Sequence, residues 1–133
     1  MKKLVLIVLI AVVSLPACKT AQKAVKNPQA NVETAIPVMI KLLEAGSYKE
    51  FLSTFLVPET KEKFGGDEGM SELADKWGKS EKKDKLLNAL KAAKDVTPVY
   101  NEDKTKATYK KEAIDNFKDL VFEKIDGLWY IAN

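Results

Sequence analysis

The spacing of apolar residues changes once along this chain, and that change limits the fold more than any other feature. Between Thr34 and Lys94 apolar side chains recur every three or four residues, whereas from Asp95 onward they alternate. The first spacing lays a stripe along a helix; the second puts side chains on one face of a strand. Helices followed by strands, without interleaving, give a segregated α+β layout. The chain has one cysteine, so no internal disulfide is available and the core must hold the domain unaided, which about 100 residues can do.

The helical half divides at its glycines and prolines. In TAIPVMIKLLEAG, Ile36, Ile40 and Leu43 line one stripe, Val38, Met39 and Leu42 widen it, Pro37 is expected in the first turn, and Gly46 closes the helix. SYKEFLSTFL follows, with Ser47 and Glu50 at capping-box spacing and Tyr48, Phe51, Leu52 and Phe55 at helical intervals. Pro58 opens a short turn that runs to Gly65 and Gly66. DEGMSELADKWG reads as a helix capped by Asp67 and stopped by Gly78. Ser80 caps EKKDKLLNALKAAK, whose Leu86, Leu87, Leu90 and Ala93 form the expected buried stripe.

The strand half reads as two hairpins and about four antiparallel strands. One hairpin turns through Asn101–Lys104, and a tighter one turns at Asp126-Gly127. If Ile125 pairs with Leu128, then Phe122, Lys124, Trp129 and Ile131 share one face, and Val121, Ile125, Leu128 and Tyr130 share the other. Both faces carry apolar side chains. One is expected to pack on the helices, while the other requires a cover: a helix, a ligand or a second copy of the chain.

Upstream of the folded part lies a processing signal. Lys2 and Lys3 precede an apolar run from Leu4 to Leu15, well short of the roughly 20 residues that span a bilayer. Leu15 does not suit ordinary A-x-A cleavage. Leu15-Pro16-Ala17-Cys18 instead resembles the lipobox of bacterial lipoproteins, with Pro16 standing where Ala, Ser, Thr or Val is commoner. That resemblance implies a lipid on the Cys18 thiol and cleavage after Ala17. Plain secretion and an uncleaved anchor are the competing readings. Two or more acyl chains, at about 0.8 kcal/mol per buried methylene, make attachment effectively permanent. Lys19 is not the aspartate that retains many Gram-negative lipoproteins at the inner membrane, so the resemblance places the protein outside the cytoplasm, at the outer membrane where the host has one.

The expected organisation is therefore a signal over residues 1–18, a tether over 19–33 and a single domain over 34–133. The tether is polar, and its apolar face (Ala21, Ala24, Val25) is too thin to insert into lipid even if Lys19, Lys23 and Lys26 face anionic headgroups. Helices followed by an antiparallel meander ending in KIDGLWYI resemble the small nuclear transport factor 2-like domains of secreted bacterial lipoproteins. That resemblance implies a cone of helices on a curved sheet, and a cystatin-like arrangement is the alternative. Relatives in that family are isomerases or dehydratases using Asp, Tyr and sometimes His, or non-catalytic binding and dimerising modules.

Composition narrows the chemistry. All 22 basic residues are lysine and histidine is absent. Without the guanidinium fork, sequence-specific nucleic-acid recognition is disfavoured; without imidazole, the commonest neutral-pH base and most transition-metal sites are missing. The formal net charge of +3 loses Lys2 and Lys3 with the signal, so it implies no strong electrostatic partner. GGDEG at 65–69 lacks the alternating oxygen ligands of a calcium loop. Glu102-Asp103 reads as a turn tip, and KSEKKDK as the wet side of its helix. Trp77, Tyr100, Tyr109 and Trp129 either line a pocket or fill the core. No catalytic residue, cofactor or metal is assigned. The expectation is a lipid-anchored envelope module whose partner is an envelope protein, a small apolar ligand or a second copy. The alternative is a small-pocket enzyme with an Asp or Glu base and a Tyr donor, which needs a desolvated carboxylate.

Overall fold

A computed structural model describes residues 27–116 and 118–132. Ala17, Cys18 and the rest of the expected signal lie outside these residues. Among the described residues there are five α-helices: α1 (Val32–Glu44), α2 (Tyr48–Phe55), α3 (Pro58–Lys63), α4 (Gly66–Gly78) and α5 (Lys82–Ala93). Four strands follow: β1 (Val99–Tyr100), β2 (Lys106–Tyr109), β3 (Leu120–Ile125) and β4 (Leu128–Ile131). They pair antiparallel in the order β1-β2-β3-β4. The protein is thus α+β, with N-terminal helices and a C-terminal four-stranded sheet.

The hairpin register fixes which residues face the helices. Phe122 lies opposite Ile131, Lys124 opposite Trp129 and Ile125 opposite Leu128, around a turn with φ of 52° at Asp126 and 81° at Gly127. Both angles are those a type I′ turn demands. Phe122, Trp129 and Ile131 are buried, joined by Ala107 and Tyr109 of β2 and by Leu120. The helices contribute Ile36, Met39, Phe51, Phe55, Met70 and Leu90, each at most 2% exposed, to the same core. Burying one such side chain contributes about 1.5–3 kcal/mol.

The folded region begins earlier than the sequence suggests. A 3₁₀ turn at Pro28–Ala30 precedes α1, with the Asn27 side chain accepting from the Gln29 backbone N–H at 2.9 Å. Gln29 and Val32 are buried, so residues 27–33 belong to the fold rather than to the tether. Because α1 starts at Val32, Pro37 sits inside the helix rather than in its first turn. The bond it cannot donate would go to the carbonyl of Glu33, in the first turn.

Several helix starts also differ in detail. Ser47 occupies the N-cap of α2, yet its hydroxyl makes no capping bond. Gly65 caps α4 in the left-handed conformation, which puts Asp67 within the first turn, where it bonds Lys49 of α2 at 3.1 Å. Ser80 Oγ does accept from the Lys82 N–H at 3.1 Å, one residue ahead of the Glu81 cap position. In α5 the buried residues are Ala89, Leu90 and Ala93, with Leu86 and Leu87 only partly buried.

Candidate functional site

The aromatic residues separate into two groups. Trp77 of α4 stacks on Phe51 at 5.4 Å with planes 2° apart and meets Tyr48 edge-on at 5.9 Å, all three between helices. Tyr100, Tyr109 and Trp129 lie on the helix-facing side of the sheet, where Tyr100 meets Trp129 at 6.0 Å and Tyr109 meets Phe122 at 5.9 Å. Trp77 therefore does not join the other three in one pocket. Tyr109 is 1% exposed and Trp129 is 4% exposed, so both serve the core, whereas Tyr100 is 38% exposed at its rim.

Electrostatics around the two phenols point the same way. Burial pushes the Tyr109 hydroxyl well above the ordinary tyrosine value, with smaller contributions from Tyr100 and from the carboxylate of Glu33. Burial also raises Tyr100, and Glu33 adds to it. Phenols held protonated can donate a hydrogen bond. Glu33, however, is exposed on the first turn of α1. None of the nineteen Asp and Glu residues is buried, nor do acids gather into a metal-binding group among the described residues. Asp67 and Glu68 of GGDEG project from α4 into solvent, and Glu102-Asp103 forms the expected turn tip.

The sheet's other face is the open one. Val99, Lys106, Thr108, Val121, Glu123, Ile125, Leu128 and Tyr130 alternate with the core residues and share this outer face. Val99 is 57% exposed, Lys106 is exposed, and the other six are half-buried. Lys61 of α3 reaches one side of it, donating to the Ser53 carbonyl at 2.7 Å with its Nζ 5.8 Å from the centre of the Tyr130 ring. At the centre of the face, Lys106 of β2 lies directly across from Glu123 of β3.

Gln29 anchors the opposite side of β4. Its side-chain amide donates to the Thr54 carbonyl at 3.0 Å and to the Trp129 carbonyl at 3.1 Å, joining the N-terminal turn to α2 and to the sheet's edge strand. It is the only buried polar or charged residue of the described chain. Sequence reasoning missed it, although Asn27-Pro28 carries the signature of a capped turn. It also missed Lys61, whose role depends on a contact between elements. Among the described residues no helix is long and apolar enough to cross a membrane. Comparison with protein-family models, with curated proteins and with solved structures finds no match to this chain.

Proposed function

We propose that the chain is a lipid-anchored envelope lipoprotein whose single domain is a non-catalytic interaction module, with the outer sheet face as its docking surface. The observation that carries the module reading is the half-open outer face, set against an interior that holds no carboxylate. The resemblance of LPAC to a lipobox carries the anchor, with Cys18 as the lipidated residue, and the order of elements is what the nuclear transport factor 2-like resemblance contributes. The competing reading, an isomerase or dehydratase, draws support from the coupling of Glu33 to Tyr100 and Tyr109. It lacks a desolvated base.

With residues 27–33 folded in, the nine-residue step from Cys18 to Asn27 reaches at most about 30 Å. A partner must therefore approach the membrane closely. The anchor is tested by the intact mass of the mature N-terminus in wild type and in Cys18→Ser. A diacylated chain starting at residue 18, lost in the variant, is the expected result; a chain starting at Met1 or bearing an unmodified thiol refutes it.

A further inference from the structure

We infer that the outer sheet face pairs with the same face of a second copy of this chain. The inference rests on the interaction-module reading but not on the lipid anchor. The registers Lys106↔Glu123 and Thr108↔Val121 place a cation and an anion side by side in the middle row of a face that also carries Val99, Thr108, Val121, Ile125, Leu128 and Tyr130. Among the described residues these two side chains close no ion pair with each other or with a third group. Each charge is thus available to a partner of the opposite sign.

Geometry then selects the partner. An isologous dimer presents the same patch from both subunits, so the patch must complement itself under a two-fold rotation. A two-fold axis along the strands, between β2 and β3, carries the β2 column onto the β3 column at the same height. Lys106 then stands over the partner's Glu123, Glu123 over the partner's Lys106, and Thr108 over the partner's Val121. The strands of the two sheets run nearly aligned, an ordinary way for sheets to pack face to face. An axis across the strands would instead oppose Lys106 to itself. One symmetric arrangement therefore pairs both charges and sets each Val121 over the partner's Thr108, with the charges matched across the interface.

The test is sedimentation velocity on the full chain, with density-matched detergent micelles in large excess over protein. The wild type is expected to dimerise. Lys106→Glu makes the row wholly acidic and Glu123→Lys makes it wholly basic, so each alone is expected to dissociate about tenfold or more easily. Mixing the two at equal concentration is expected to restore the dimer, since acidic then meets basic. Circular dichroism confirms folding of each chain. Should a reversal unfold the domain, Lys106→Gln and Glu123→Gln replace it, each expected to weaken association. A wild-type monomer at every concentration overturns the inference while leaving the interaction-module reading standing. A dimer indifferent to both reversals, or not recovered by mixing, overturns it as well, because such a dimer uses another surface.

Discussion

Replacing Gln29 by alanine removes the two donors that reach the carbonyls of Thr54 and Trp129. A buried acceptor without a partner costs about 1–3 kcal/mol. For a domain near 100 residues, a loss of about 2 kcal/mol lowers the thermal midpoint by roughly 10 °C, which differential scanning calorimetry would detect. An unchanged midpoint would mean that the turn at Pro28–Ala30 contributes nothing to stability. Residue-scale legibility was uneven for a physical reason. Apolar side chains announce themselves through periodicity, so Phe51 and Leu90 were readable as core, while Phe122 was readable only as a member of one of two apolar sheet faces. Gln29 is polar, and its value comes from partners 25 and 100 residues away, which no local pattern encodes.

At the scale of elements, turns set the frame. The Asp126-Gly127 hairpin was readable down to its register because a two-residue loop leaves one way to pair the strands it joins. The α3–α4 junction was less so. A Cβ built on Gly69 would collide with the Phe64 carbonyl oxygen, and only the absence of a side chain lets the backbone of this corner pass so closely. Gly69→Ala is expected to force the corner apart at a cost of about 3 kcal/mol, read as a fall in the midpoint of urea unfolding. A silent substitution would show that the corner relaxes freely. The sequence placed Asp67 at the cap of this helix, but Gly65 took that position, because a left-handed φ of 87° suits glycine better than aspartate. Ion pairs such as Lys91 with Glu44, which ties α5 to α1 at 2.7 Å, are half-exposed and contribute at most about 1 kcal/mol.

For the whole molecule, the absence of histidine shapes the response to pH. Asp119 accepts from the Lys111 N–H at 2.8 Å. That bond foremost, with help from Lys110 and Lys111, holds its carboxyl below the ordinary aspartate value despite partial desolvation. Its folded value lies below its unfolded one, so its contribution is present above the ordinary aspartate range and is lost as pH falls through the folded value. Tyr109 behaves in the opposite sense: its contribution is intact below the usual tyrosine value and is lost as pH rises through the folded one. A plot of thermal midpoint against pH is therefore expected to be flat from about pH 6 to 9. It should fall below about pH 4, less steeply in Asp119→Asn, and above about pH 10, less steeply in Tyr109→Phe. A step near pH 6.5 would contradict this account.

The two edges of the sheet also differ in kind. On one side β1 has only two residues and follows Pro98, a combination that discourages another strand from adding there. On the other, Leu56 bridges Ile131 and the N-terminal turn lies along β4. That second arrangement has a mechanical side. Traction on the chain upstream of Asn27 meets the Pro28 carbonyl held by the Thr34 hydroxyl and then the Gln29 amide, and from there enters two separate elements at once, the end of α2 and the backbone of β4. Shared between them, a tug loads the interior of the domain instead of peeling a single strand from its border.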